Sequence, residues 1–242
     1  MSSIDQAKQA IREQVWSLLE AAGTVEPGVW GYIPAFTGAD QAAERLAALP
    51  VWQNAQVLEV VPDRAQLPVR IRVLQAGKLL YMAVPKLAGA EPFYLLDPHH
   101  LTSEAAAAAD SEVAARIAPM VSMSDMQVID LIVCGSVAVS KLGARLGKGA
   151  GYSDIEVGLL VEAGLVTKQT TIVTTVHELQ VLDEELPEQD HDFRVDVIVT
   201  PERAIPCSHA KRPTGLDWEH LNPEQIRAIP VLERKAMRRR CQ

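Results

Sequence analysis

"VIDLIVCGSVAVSKLGARLGKGAGYSD", Val128 to Asp154, carries the two patterns that decide the fold. The first half, "VIDLIVCGSVAVS", is a near-continuous apolar run, the mark of a strand buried on both faces. The second half, from Gly143, sets glycines at 143, 147, 149 and 151 with Arg145 and Lys148 among them, and closes on Tyr152 and Asp154. A helix is expected from Asp154 to Glu162. A buried strand, a glycine loop and a helix in succession place that loop where open α/β sheets bind their ligands, beyond the carboxyl ends of the strands.

The alternation continues outward. Residues from about Asp5 to Ala22 predict an amphipathic helix, with Ile4, Ala7, Ile11, Val15, Leu18 and Leu19 at helical spacing and Gly23 as its end. "TVEPGVWGYIPAFTGAD" reads as loop. Gln41 to Leu49 predicts a second helix, with Asp40 as N-cap and Pro50 as stop. "AQVLEVV" predicts a strand, "LPVRIRVLQAGK" a helix opened by proline, and "KLLYMAVP" and "PFYLLDP" further strands. "TSEAAAAADSEVAARIA" predicts one capped helix on the surface, because its alanines have little bulk to bury. "TTIVTTV" and "VDVIVTP" predict the last strands. The expected fold class is therefore α/β, a mostly parallel sheet with helices on both faces. One domain is expected over residues 1–209, with a C-terminal extension over 210–242.

At 242 residues and 48% hydrophobic, the chain is long enough to bury a sizeable core. No apolar run approaches the length of a membrane span, and the opening "MSSIDQAKQAIREQ" lacks a signal pattern. Cys134, Cys207 and Cys241 are too far apart for a disulfide framework or a structural zinc site, so a reducing cytoplasm is the expected setting. A net charge of -8 argues against whole-surface affinity for nucleic acid, so phosphate binding must be local. Arg234, Lys235, Arg238, Arg239 and Arg240 in the tail read as a solvated basic helix end.

Closely spaced glycines let successive backbone N–H groups converge on a phosphate, and a helix that follows adds its positive end. Arg145 and Lys148 are expected as mobile cations beside a triphosphate, and Asp154 as a ligand for its metal. The spacing matches neither the common P-loop nor the dinucleotide fingerprint, and a merely structural turn remains the other reading. "EQDHDFRVDVIVTP" sets His191, Asp192 and Asp196 at the mouth of a late strand, where carboxylates suit Mg²⁺ or serve as turn residues.

"KQAIR" (Lys8 to Arg12), "GARLGKGAGYSD" and "HDFRVD", in this order and spacing, resemble the 5-formyltetrahydrofolate cyclo-ligase family, also called methenyltetrahydrofolate synthetases. "PDRAQLPVR", "GSVAVS", "GKGAGYSDIE", "IVTTVHELQVLD" and "VDVIVTPERAI" resemble its methenyltetrahydrofolate synthetase domain-containing branch in more detail. The resemblance implies a Rossmann-like three-layer fold and ATP- and Mg²⁺-dependent ring closure of 5-formyltetrahydrofolate, or of another small anionic substrate. It implies nucleotide contacts from Lys8, Arg12, Arg145, Gly147, Lys148, Gly149, Gly151 and Tyr152, with Arg145 and Tyr152 catalytic and Asp154 and Asp192 on the metal. A homo-oligomer is compatible with it.

Three positions depart from the family pattern. Ser153 stands where the family has a second tyrosine, and Ser140 where it has an aspartate. "PDRAQLPVRIR" lacks the family's glutamate and offers only Asp63 beside Arg64, Arg70 and Arg72, either a reversal of charge that favours an anionic ligand or arginines on an outer helix face without a part in binding. A second implied reading is a nucleotide-binding paralogue without the chemistry, acting through sensing, RNA or a partner.

Overall fold

The run from Val128 to Ser140 does not form one strand. In the computed structural model, which describes residues 2–101, 103–208 and 211–240 (the last without its side chain), it gives β5 (Leu131–Cys134) and β6 (Ala138–Ser140) in different sheets. The carbonyls at the break are taken by side chains. Arg145 Nη2 donates to Gly135 O at 3.1 Å, and Gln180 Nε2 to Ser136 O and Val137 O at 2.8 and 3.1 Å. Periodicity could not show this break, because both pieces are buried.

The main sheet adds β1 (Val57–Val60), β2 (Leu79–Ala83), β3 (Phe93–Leu96), β4 (Met120–Val121), β8 (Thr171–Thr175), β10 (Val197–Val199) and β11 (Ala204–Pro206). Its order is β11-β10-β8-β5-β1-β2-β3-β4. The central pairs are parallel, while β3, β4 and β11 join antiparallel at the edges. A small second sheet joins β6 to β7 (Arg145–Leu146) and β9 (Val181–Leu182).

The period of two along each strand sorts residues between two cores. Leu58, Val60, Leu80, Met82, Leu131 and Val133 pack with α2 (Ala39–Ala47), α3 (Pro50–Asn54) and α4 (Leu67–Gln75). Tyr81, Ile132, Cys134 and Ile172 pack with α7 (Tyr152–Glu162) on the opposite face. Glu59 falls between Leu58 and Val60 and so belongs to the α7 side. The first helix, α1 (Ser3–Ala21), packs Val15, Trp16 and Leu19 against the small sheet.

Several expectations change. The second helix is capped by Gly38 rather than Asp40. The alanine-rich stretch divides into α5 (Ala105–Ala108) and α6 (Ser111–Ile117), because the Asp110 carboxylate caps the second piece from Glu112 N and Val113 N. Nor does it ride on the surface, since Ala108, Ala109 and Ala114 are fully buried: small side chains let helices approach closely. The tail forms α8 (Pro223–Ala228) and α9 (Pro230–Arg240). It turns back on the body, with Ile229 and Leu232 in the α7-side core, Lys235 paired to Glu162 and Arg239 over the Trp218 ring. The expected boundary at 209/210 and the tail residues Cys241 and Gln242 lie outside the described residues. Cys134 and Cys207 are free. Among the described residues no helix is long and apolar enough to cross a membrane.

Arg70 does not present charge to a ligand. It is buried in α4, where Nε donates to Ala109 O and Nη1 to Val61 O and Asp63 O; burial lowers its pKa to about 10. Arg72 lies within 3.9 Å of Glu44, away from the strand ends. Arg70→Ala should destabilise the fold by roughly 3 kcal/mol, since three carbonyls lose a charged donor. A urea midpoint unchanged from the parent would contradict this role for Arg70.

Candidate functional site

The ends of β1 and β2, the segment Leu146–Asp154, the start of α1 and the loop Gln189–Asp192 enclose a cavity of about 460 Å³. It opens at the carboxyl ends of the parallel strands, as the chain order requires. The glycine loop is its floor. A Cβ on Gly147 would lie 2.7 Å from Arg145 Nη2, so a side chain there would displace the guanidinium. Gly151 has φ of 72° and caps α7 without a side chain of its own to take the first N–H groups of that helix. Bare amides and a helix N-terminus thus face one space, the arrangement that receives anions.

The cations are fixed rather than mobile. Arg145 is buried against Gly135 O and the Phe193 ring, with Nη1 3.5 Å from Asp154 Oδ1. This corrects the expectation of a free side chain beside the loop. Arg12 is nearly as buried and donates from Nε to Gly147 O at 2.7 Å, tying α1 to the loop. Burial and the charge of Arg145 hold Arg12 below the usual guanidinium range. An anion placed between the two would relieve that repulsion. Lys8 Nζ reaches Asp192 Oδ2 at 2.5 Å and Gln189 Oε1 at 3.1 Å. Lys148 is the more exposed cation, 3.1 Å from Asp63. Tyr152 and Ser153 line the same cavity.

Asp154 and Asp192 come together here, while Asp196 does not. Asp196 lies at the start of β10, accepts from Ile172 N and pairs with Arg212, which makes it a structural anchor. Asp192 reaches the cavity from the loop before that strand. Burial raises the Asp154 pKa; Arg145 opposes the rise and the Asp192 charge adds to it. Both carboxylates could offer an oxygen to a hard divalent cation such as Mg²⁺, with Asp192 Oδ2 already accepting from Lys8 Nζ and Gln189 N and Asp154 Oδ1 facing Arg145. Ser140 is buried within β6 and stands apart from the cavity lining.

Sequence reasoning missed two acids. Glu59 of β1 and Glu156 of α7 are buried and hydrogen-bonded to each other through their carboxyl groups, and among the described residues Oε1 of each has no other partner. Glu156 lines the cavity. Burial drives the Glu59 pKa well above the carboxyl range, and the adjacent Glu156 adds to it. Burial likewise lifts Glu156 to about 7. A lone acid inside "AQVLEVV" and another inside "DIEVGLLVE" were the available signals, since an acid amid buried apolar residues marks a functional candidate. At the same end, Lys86 and Leu87 adopt φ of 59° and 53°, a left-handed backbone that is strained for such side chains and recurs at functional sites.

With this geometry in place, the comparisons with known proteins take a definite meaning. The sequence model of the 5-formyltetrahydrofolate cyclo-ligase family matches residues 4–201. The chain belongs to that family. It is similar to the mouse methenyltetrahydrofolate synthase domain-containing protein, with 37% identity over 233 residues, 93% of this chain and 62% of that protein. The human protein of the same name is 36% identical over 233 residues, covering 93% of this chain and 60% of its own length. The chain thus spans about three-fifths of these relatives. Among solved structures, the Aquifex aeolicus 5,10-methenyltetrahydrofolate synthetase superposes with a TM-score of 0.53 at 20% identity. It covers 88% of this chain and 99% of its own, a likeness of fold. The cyclo-ligase match includes the whole cavity lining, so the family relationship and the site coincide.

The buried acids set a pH dependence. Their folded pKa values lie above the unfolded ones, so the folded chain holds a proton that the unfolded chain releases. Their contribution to stability is complete below the ordinary carboxyl range and declines as pH rises through about 7. Glu59→Gln should flatten this decline, read as urea stability compared at about pH 5 and about pH 8. An identical decline in the variant would show that the pair does not carry it.

Proposed function

We propose that this protein is an ATP- and Mg²⁺-dependent cyclo-ligase acting on 5-formyltetrahydrofolate or a related reduced folate. The observation that carries the reading is the convergence of Arg12 and Arg145 on one bare glycine loop, where their mutual repulsion calls for a polyanion. Family membership supplies the reaction class. In that reaction the formyl oxygen takes the terminal phosphoryl group from ATP, ADP leaves, N10 closes on the activated carbon and phosphate departs with the oxygen.

The residues divide by task. The amides of the loop and of the first turn of α7, with Lys8, Arg12, Arg145 and Lys148, hold the polyphosphate and neutralise charge on the group in transfer. Asp154 and Asp192 would hold Mg²⁺, which supplies further charge neutralisation at the phosphates. Tyr152, the first residue of α7, lines the cavity beside the loop. The acceptor half is formed by Val61, Pro62, Asp63, Lys86, Leu87 and Glu156. The segment after β1 lacks the family glutamate, and the Glu156 carboxyl, which lines the cavity from α7 and is held by Glu59, is the acid that supports the reading instead.

The second reading, nucleotide binding without turnover through a sensing, RNA or partner role, draws its support from Ser153, where one family aromatic is missing. Purified protein should convert 5-formyltetrahydrofolate to a product with new near-ultraviolet absorbance, only in the presence of ATP and Mg²⁺. ATP-induced thermal stabilisation without product would favour the second reading, and the absence of both would overturn the site. Lys148→Ala should weaken ATP binding by about tenfold with an unchanged melting temperature, because an exposed charge adds little to stability. Glu156→Gln should raise KM for the folate and leave ATP affinity intact; equal losses for both ligands would remove Glu156 from the acceptor half.

A further inference from the structure

His191, Asp217 and His220 form a cluster that the cyclo-ligase reading does not use. His191 comes from the loop that also carries Asp192. Asp217 and His220 lie between β11 and α8, beyond the residues that match the family. One ligand atom from each of the three lies within 4.8 Å of the others. The two imidazole rings are 5.1 Å apart and tilted by 43°. His220 Nδ1 is hydrogen-bonded to Asp217 Oδ2 at 2.6 Å.

The informative atom is His191 Nδ1. It is buried, has no hydrogen-bond partner among the described residues, and stands 3.8 Å from Asp217 Oδ2. That gap is too long for a hydrogen bond and matches two donors sharing one ion at roughly 2.0–2.2 Å from each. Leaving a buried polar atom unpaired costs about 1–3 kcal/mol, a cost that a bound ion removes. The other ring nitrogen, Nε2, lies 3.8 Å from Asp192 Oδ1, a carboxylate beside the ring and beyond hydrogen-bond distance.

We propose that His191, Asp217 and His220 bind a divalent transition-metal ion of the zinc class, which fastens the segment 211–222 to the body beside the glycine loop. Two imidazoles and one carboxylate select such an ion over Mg²⁺, which takes oxygen donors and retains its water. On entry of the ion, the His220–Asp217 hydrogen bond opens and both groups become ligands. The remaining coordination positions belong to water or to an anion from the adjoining space, which is lined by Gly151, Asp154 and Leu216. The same segment already meets the body elsewhere, with Leu216 N donating to Glu162 at the end of α7, and α8 just beyond it meets the loop through Gln225 Nε2 and Ala150 O.

The test needs neither nucleotide nor folate, so its outcome is independent of the cyclo-ligase reading. Full-length protein stripped with chelator is titrated with Co²⁺ and followed by visible absorption. One equivalent should bind, with bands typical of nitrogen and oxygen ligands, and Zn²⁺ should displace it while millimolar Mg²⁺ does not. His220→Ala should lower Zn²⁺ affinity by more than ~100-fold, beyond the loss expected from an outer-shell partner. His220 is half exposed, so this variant should keep the parent melting temperature in chelator. Asp154→Asn should leave Co²⁺ binding unchanged, which separates this site from the phosphate metal. Absence of binding below millimolar Co²⁺, equal affinity in His220→Ala, or loss in Asp154→Asn would each overturn the proposal.

Discussion

A guanidinium occupies the place where residue 147 would carry a side chain. Arg145 lies under the glycine loop, 2.7 Å from the position of a Cβ on Gly147, and the rest of the site follows from holding it there. It takes the carbonyl at the end of β5, lies on the Phe193 ring and pairs with Asp154 at the start of α7. One side chain therefore joins the central strand, the glycine loop, the helix after it and the loop before β10. Arg12 closes the arrangement from α1 through Gly147 O. These contacts fix the loop before any ligand arrives, the kind of preorganisation that makes charge stabilisation effective.

The cavity is electrostatically divided. Cations gather at the glycine loop, where Lys148 pairs with Asp63, while Glu156 lines the cavity from α7 with Glu59 behind it. A buried carboxyl without a cation partner costs stability unless it keeps its proton or meets a donor. A fold that retains two of them on the face turned toward its helix accepts that cost at the site, as strained backbone at Lys86 and Leu87 also does. The arginines of "PDRAQLPVRIR" take no part in this division. Arg70 is consumed by backbone carbonyls, so the reversal of charge legible in that segment has a structural cause and not a ligand.

The segment beyond the matched family region belongs to the same assembly. Leu232 and Ile229 fill the α7-side core, while residues 211–222 reach across to the loop of His191. Glycine loop, cavity and C-terminal segment thus share their walls, and a change in one is felt in the others because packed interiors transmit strain.

The order of strands and helices, the parallel sheet, the position of the glycine loop and the cavity-lining residues Lys8, Arg12, Arg145, Lys148, Asp154 and Asp192 were legible in the amino-acid string. Apolar periodicity and glycine spacing are local properties, and they survive being read one window at a time. The break at Gly135, the burial of the alanine helices, the separate fate of Asp196 and the meeting of Glu59 with Glu156 were not legible. Each depends on which distant chain arrives alongside: Gln180 at the strand break, Arg212 at Asp196, α7 over β1. Burial and electrostatics are set by neighbours remote in sequence, so tertiary structure alone decided which charges face a ligand and which hold the fold.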